Sequence, residues 1–310
     1  MEFDFVQTLQ NVLVLFLLII VGFIAGKVNL IDEKGQKSIT ALTLNITMPA
    51  TIFMAMQLEM SQERIKTALT ILVIVIGIYV LMFVTGLVAT RFMKIDDAKK
   101  DVFRTGVLLS NTSFMGYPIV ASLLGQEALF YAVIGAGFVF ECVSWTLGVY
   151  LIGRRGEVEV KMDLKKIFLS PGILAVFVGL IFFIFQIPIP EVPERVLKTM
   201  SPATSPLAMI VVGLILSRSN LKEAVSNKVI YLGAFIKLLG TPMISILILK
   251  ALGFSGMQLV IPIIMTCMPT ASYVAMLSDN YNNNPDFASQ MVFLSSLLSV
   301  ITIPVVTLLF

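Results

Sequence analysis

Two stretches of the sequence combine a run of polar side chains with prolines inside apolar surroundings. The first, LLSNTSFMGYPIVASLLG, contains Ser110, Asn111, Thr112, Ser113, Gly116 and Pro118. The second, IPIIMTCMPTASYVAMLSDNY, contains Pro262, Thr266, Pro269, Thr270, Ser272 and Tyr273. Hydroxyl and amide groups of this kind fix the orientation of a small ligand by hydrogen bonding. The chemistry they indicate is binding rather than bond making.

The prolines and glycines in both stretches predict interrupted helices. Proline removes a backbone donor, and Gly and Asn tolerate non-helical torsions. In a bilayer, backbone freed in this way is tolerated only where it is buried in protein or lines a polar cavity. We therefore expect both interruptions to face one internal substrate site, although a single kink of this kind is more often structural. The half-helix starts attract anions, whereas the half-helix ends, with free carbonyls, can hold a cation.

Only two ionisable residues lie deep inside apolar segments, Glu141 and Lys237. A charge at the bilayer centre costs at least ~2.5–3.5 kcal/mol, so each needs a partner, neutralisation or water. We expect Glu141 to act as a coupling-ion ligand or proton carrier and Lys237 as a counter-charge for an anionic substrate. The alternatives are a structural salt bridge and a lysine that extends to the membrane surface. Asn45, four residues before Pro49, either borders the site or bonds a neighbouring helix.

The composition identifies lipid as the solvent for most of the chain. Hydrophobic residues make up 57% and charged residues 13%, and the mean hydropathy is +0.95, whereas a soluble domain carries roughly 25% charged residues. The basic residues lie in short loops and form no exposed face, which argues against nucleic acid as a partner. The sequence has no histidine, so His-ligated metals and Ser–His pairs are excluded. We predict no enzyme activity, no bound metal and no resident cofactor.

Apolar runs separated by charged or Gly/Pro/Asn-rich segments predict an all-α polytopic membrane protein. Because a helix crosses the hydrocarbon core in about 20 residues, we predict ten spans. They lie near 5–26, 38–58, 67–91, 102–124, 127–152, 169–187, 196–217, 228–250, 256–278 and 286–309. Most Lys and Arg residues fall in the connections that follow odd-numbered spans. The positive-inside rule then places those loops in the cytoplasm and both termini outside the cell (inner) membrane.

A charged connection near the chain midpoint, residues 153–168, divides the spans five and five. Five is odd, so residues 1–152 and 169–310 form two repeats of opposite orientation, the plan of many secondary transporters. The segment Met48-Pro49-Ala50-Thr51 also resembles Ser201-Pro202-Ala203-Thr204. The turns Leu124-Gly125-Gln126-Glu127 and Asn282-Asn283-Asn284-Pro285 fall at equivalent places. The sequence thus predicts two inverted five-helix repeats, joined by a cytoplasmic linker, with one broken helix in each.

The string Asn111-Thr112-Ser113-Phe114-Met115-Gly116-Tyr117-Pro118 resembles a segment of bacterial permeases of the auxin efflux carrier family. Residues 268–289 and Ile303-Pro304 are similar to the last two spans of that family. The resemblance implies a fold related to sodium–bile acid symporters, with two crossed helices broken at prolines. It places Asn111, Pro118 and Pro269 on those helices, with neighbouring polar side chains touching substrate. It also implies a scaffold of spans 1, 2, 6 and 7, a mobile domain of spans 3–5 and 8–10, an elevator-like motion and a homodimer.

The resulting hypothesis is a secondary transporter of small organic anions. Bacterial proteins of the family that the chain resembles are associated with malate, malonate and similar carboxylates, so mono- or dicarboxylates are the expected substrates. The coupling ion is left open between Na⁺ and H⁺. A ligand-sensing membrane protein without transport is the alternative function.

Overall fold

The computed structural model describes residues 5–158, 169–218 and 221–310, and within these every regular element is a helix. Seventeen α-helices, which we number in chain order, are joined in places by short π or 3₁₀ turns. They are α1 Phe5–Lys27, α2 Glu33–Leu42, α3 Met48–Ala55, α4 Gln62–Arg91, α5 Asp97–Leu108, α6 Tyr117–Ala132, α7 Phe138–Val143, α8 Val149–Gly153, α9 Pro171–Phe185, α10 Glu191–Met200, α11 Thr204–Ser217, α12 Leu221–Ser226, α13 Lys228–Phe235, α14 Thr241–Ala251, α15 Met257–Thr266, α16 Ser272–Asn280 and α17 Pro285–Thr307. Most of the predicted linker 153–168 lies outside the described residues.

Several of these helices run on from one another as longer apolar stretches. Seven stretches in the described part of the chain are long and apolar enough to cross a membrane. They are Gln10–Lys27, Glu33–Ala55, Gln62–Arg91, Thr112–Gly153, Glu191–Ser217, Lys228–Ala251 and Pro285–Thr307. The apolar helices α9 and α15 are shorter. The chain is therefore a polytopic helical membrane protein, as its composition predicts.

Residues with positive φ mark two turns that the sequence placed at equivalent positions. Gly125 has φ 81° and interrupts α6, so the stretch Thr112–Gly153 changes direction there. Asn282 and Asn284 each have φ 49° between α16 and α17. Glycine and asparagine tolerate this left-handed region better than other residues do. Each turn follows the second half of an interrupted helix.

One group of helices is held together by close backbone contact. Helix α1 packs along α11, and α3 packs against α9. A Cβ atom added to Gly22 would lie 2.2 Å from the Ile210 carbonyl oxygen, and one added to Gly213 would lie 2.0 Å from the Ile19 carbonyl oxygen. Small residues permit this approach, which is the usual packing of helices in membranes.

The same group contains a contact between the two similar tetrapeptides of the sequence. The hydroxyl oxygens of Thr51 and Thr204 lie 2.7 Å apart. The Thr51 hydroxyl also lies 3.0 Å from the Ser201 carbonyl oxygen. The two segments that resemble each other in sequence therefore meet in space.

A second group surrounds the interrupted helices. Helix α4 packs on α5, on α15 and on the π turn Val133–Gly137, while α17 packs on α5, α13 and α16. The start of α5 is fixed by Asp101, whose buried carboxylate receives hydrogen bonds from Arg104, Arg154 and Arg155. The bond to Asp101 raises the pKa of the Arg154 guanidinium. This ion cluster ties α5 to the end of α8.

Candidate functional site

The two interrupted helices pair with each other at their interruptions. Helix α5 ends at Leu108 and the chain becomes helical again at Thr112, while α15 ends at Thr266 and α16 starts at Ser272. Between them, Ser110 and Thr270 form an isolated antiparallel bridge. We call these interruptions, residues 109–111 and 267–271, the crossover.

Two backbone hydrogen bonds hold the crossover together. The Asn111 N–H donates to the Pro269 carbonyl at 2.8 Å, and the Ala271 N–H donates to the Leu109 carbonyl at 2.9 Å. Backbone groups that lose helical partners inside a membrane must find others within the protein. Here each broken helix supplies partners for the other, which stabilises both breaks at one point.

The carbonyl ends of the half-helices at the crossover are occupied by protein donors. The Thr270 hydroxyl donates to the Gly106 carbonyl at 3.0 Å, and the Ser110 hydroxyl donates to the Thr266 carbonyl at 3.2 Å. The Cys267 N–H donates to the Ile263 carbonyl at 2.9 Å. The Cys267 bond continues the helical pattern of α15. The Gly106 and Thr266 carbonyls instead receive hydroxyl groups from the other interrupted helix, because intrahelical donors are lacking at helix ends.

The other side of the crossover carries polar side chains that lack partners. Four side-chain atoms that are buried have no hydrogen-bond partner among the described residues: Asn111 Nδ2, Thr112 Oγ1, Ser272 Oγ and Tyr273 Oη. Asn111 is 3% exposed and Thr112 is 1% exposed. All four lie where the second half-helices begin, and an unpaired buried donor is unfavourable by about 1–3 kcal/mol. These groups can bind a ligand that offers several acceptor oxygens.

Lys237 lies against the crossover from a third helix. Its side chain is fully buried within the π turn Ile236–Gly240. The amino group lies 2.9 Å from the Val107 carbonyl oxygen and 2.6 Å from the Ser110 hydroxyl. Among the ion pairs of the described residues none joins Lys237 to Glu141. The structure thus favours neither a salt bridge between them nor a lysine that reaches the membrane surface.

Glu141 connects to the crossover through aromatic side chains. The indole N–H of Trp145 donates to the Glu141 carboxylate at 3.2 Å. The ring of Trp145 lies 5.7 Å, centroid to centroid, from the ring of Tyr273. The Glu141 carboxyl group is therefore linked, through the ring contact between Trp145 and Tyr273, to the residue whose hydroxyl lacks a partner.

The remaining predicted site residues differ in where they lie. Pro118 and Pro269 are buried on the interrupted helices, and Ser113 is half-buried in the π turn Thr112–Gly116. Asn45 is exposed and donates to the Ala41 carbonyl of its own helix at 2.8 Å. No hydrogen bond of the described residues links Asn45 to the crossover, so its place in the site stays a prediction.

The structure adds two residues that sequence reasoning missed. The Ser295 hydroxyl accepts a hydrogen bond from the Thr270 N–H at 3.0 Å. Trp145 links Glu141 to Tyr273, as described above. Ser295 sits in an ordinary apolar helix without a sequence signal, whereas Trp145, the single tryptophan of the chain, lies four residues from Glu141 and could have been noticed.

A polar cavity elsewhere in the structure is lined by no residue of the crossover. This cavity of about 440 Å³ is lined by residues that include Glu63, Arg64, Glu127 and Tyr131. Arg64 pairs with Glu127 there at 3.2 Å. By contrast, the crossover side chains Ser110, Asn111 and Thr270 are buried. The structure therefore represents a state in which the crossover is closed to solvent.

Comparison with known proteins identifies the class. A family model described as "Membrane transport protein" matches residues 7–307. The chain is 24% identical to an "Uncharacterized transporter" of Methanothermobacter thermautotrophicus, covering 97% of each chain. It is 25% identical to one of Methanocaldococcus jannaschii, covering 94% of this chain and 95% of the relative. A third, from Escherichia coli K12, is 21% identical over 97% of this chain and 96% of the relative.

Many secondary transporters are built from discontinuous helices of this kind, and the relatives carry the name transporter. The chain belongs to the membrane transport protein family, the auxin efflux carrier family that its sequence resembles. This is a family of transporters and not of enzymes.

Proposed function

We propose that this protein is a secondary transporter of small organic anions, mono- or dicarboxylates, which bind at the crossover. One observation carries the proposal. At the crossover, the Gly106 and Thr266 carbonyls already have donors, while four buried groups on Asn111, Thr112, Ser272 and Tyr273 have no hydrogen-bond partner among the described residues. A carboxylate supplies acceptor oxygens and negative charge, both favoured at helix starts.

The proposed architecture is ten spans in two inverted repeats, with residues 1–152 and 169–310 as the units. Equivalent positions of two repeats related by a two-fold axis can touch only near that axis. Thr51 meets Thr204, and the sequence comparison makes these two positions equivalent. Ser110 pairs with Thr270, and each of these residues lies in the interrupted helix of its own proposed repeat. The fourth span then consists of α5 and the helical segment that begins at Thr112. The ninth span consists of α15 and α16.

The same contacts support a two-part mechanism of the elevator type. Helices α1, α3, α9 and α11 form the closely packed group, which we assign to the scaffold. The crossover lies in the second group, from α4 to α8 and from α13 to α17, which we assign to the mobile domain. Movement of the second group would carry the closed crossover across the membrane, as alternating access requires.

Three further assignments belong to this proposal. Glu141 is proposed as the ion-coupling residue because it is linked through Trp145 to Tyr273. The basic loops are placed in the cytoplasm, with both termini outside the cell membrane, on the positive-inside rule alone. Assembly as a homodimer follows from the family resemblance alone.

The test is uptake into proteoliposomes of a radiolabelled C3–C4 carboxylate panel, with imposed Na⁺, H⁺ or no gradient. Saturable uptake of one anion is the expected result. Absence of uptake across the panel, with folded protein verified by gel filtration, would contradict an anion carrier of this size class. Binding of a carboxylate to the purified protein without uptake would favour the alternative, a ligand-sensing membrane protein.

A further inference from the structure

The buried amino group of Lys237 contacts the carbonyl end of one half-helix at the crossover. Lys237 Nζ lies 2.9 Å from the Val107 carbonyl oxygen and 2.6 Å from Ser110 Oγ. A carbonyl oxygen only accepts, so the amino group donates to Val107. Because the Ser110 hydroxyl gives its proton to the Thr266 carbonyl at 3.2 Å, its oxygen also accepts from Lys237. Both contacts are those that a small bound cation would make.

The surroundings of Lys237 fit this role better than a charge pair does. The side chain is fully buried, and the ion pairs of the described residues include no carboxylate for it. Its contacts are instead the negative end of the α5 half-helix and a hydroxyl oxygen. Helix ends with free carbonyls coordinate Na⁺ in transporters built from broken helices, and oxygen ligands suit such hard cations.

The two carbonyls before Val107 already have donors from the protein. Thr105 accepts from the Leu109 N–H at 2.9 Å, and Gly106 accepts from the Thr270 hydroxyl at 3.0 Å. The Val107 carbonyl accepts from Lys237, so three of the last four carbonyls of α5 have a donor. The chain itself thus supplies every donor that these three carbonyls receive.

We propose that the Lys237 amino group takes the place of a coupling cation at the crossover. This inference rests on the proposed function. It means that anion transport proceeds without Na⁺ bound at these carbonyls. Lys237 is then a positioning residue that stabilises the crossover at its carbonyl end. Removing the amino group would leave Val107 and Ser110 as oxygen ligands for a small monovalent cation.

The first experiment reads cation binding without any substrate. Thermal unfolding of purified protein is compared in Na⁺, Li⁺, K⁺ and choline chloride at equal ionic strength, for wild type, Lys237→Ala, Lys237→Met and Lys250→Ala. Wild type should be indifferent to the cation, and Lys237→Ala should be stabilised selectively by Na⁺ or Li⁺ by about 2 °C or more, since only the folded state would bind the ion. Lys237→Met fills the volume without opening a site, and Lys250, at the other end of the same span, donates to the Leu309 carbonyl. Both controls should resemble wild type in their cation response.

The second experiment measures carboxylate uptake by the same proteins with Na⁺ replaced by choline. Wild-type uptake should be unchanged, whereas Lys237→Ala should lose about tenfold or more in choline and recover part of it in Na⁺. Na⁺-selective stabilisation or Na⁺-dependent uptake of the wild type would overturn the proposal, and so would a folded Lys237→Ala variant that behaves like wild type. If Lys237→Ala does not fold, the wild-type comparison still decides the outcome. If wild type carries no carboxylate at all, the proposed function fails while the unfolding comparison still tests Lys237.

Discussion

Two buried asparagines differ in hydrogen bonding and so give a matched test of the binding site. Asn111 is 3% exposed, and its Nδ2 has no partner within the described structure. Asn283 is 2% exposed, and its Nδ2 donates to the Ile152 carbonyl at 2.7 Å. Substitution of each by alanine removes the same atoms. The two variants should nevertheless change stability in different directions.

The magnitudes follow from these contacts. Asn283→Ala leaves the Ile152 carbonyl unpaired, which should lower the free energy of unfolding by about 1–3 kcal/mol. Asn111→Ala breaks no hydrogen bond of its Nδ2 and relieves a buried unpaired donor, so the free energy of unfolding should stay level or rise by about 1 kcal/mol. If that amide donates to the substrate carboxylate, its loss costs about 1.5–3 kcal/mol of binding. Such a loss lowers transport at limiting substrate by roughly 10–150-fold.

The assays are thermal unfolding in detergent and carboxylate uptake into proteoliposomes at matched protein content. We expect Asn111→Ala to unfold no earlier than wild type while its uptake is nearly lost. Asn283→Ala should unfold several degrees earlier and, once folded, retain uptake. If Asn111→Ala is destabilised as strongly as Asn283→Ala, the Asn111 amide has a structural partner. Uptake at the wild-type level by folded Asn111→Ala would refute its assignment to the substrate site.

Three other predictions test the coupling residue, the scaffold and the ion cluster. Glu141→Gln keeps the shape of the side chain but cannot ionise, so it should alter the pH response of uptake; an identical pH response would remove Glu141 from coupling. Gly22→Ala forces a Cβ to within 2.2 Å of the Ile210 carbonyl oxygen and should destabilise by about 1–3 kcal/mol, whereas Gly77→Ala, with no atom within 4 Å, should not lower the unfolding temperature. Equal unfolding temperatures for these two alanine variants would contradict the close packing of α1 on α11. Asp101→Asn leaves three arginines without their shared carboxylate and should destabilise by about 3 kcal/mol, measured by the same assay at low salt; an unchanged unfolding temperature would show that water already compensates these charges.

Local sequence rules were sufficient for the helical class and for the positions of the breaks. Long apolar runs have few solutions in lipid, because every backbone polar group must be bonded internally. Pro269 lies inside the second break, which agrees with the local effect of proline. The first break, residues 109–111, instead lies before Pro118, which is at the start of α6. The helix breaks predicted in these two stretches are confirmed, between α5 and the Thr112 turn and between α15 and α16.

Which polar groups at the breaks are free to bind a ligand could be known only from the tertiary structure. Sequence reasoning left two alternatives open, an anion at the helix starts and a cation at the helix ends. The pairing of Asn111 with Pro269, and the arrival of Lys237 at the Val107 carbonyl, involve residues 158 and 130 positions apart. No local pattern encodes such separations, because each depends on how whole helices pack. The sequence therefore determined that the chain spans a membrane and where its helices break, and packing decided which polar groups were satisfied and which were left for a ligand.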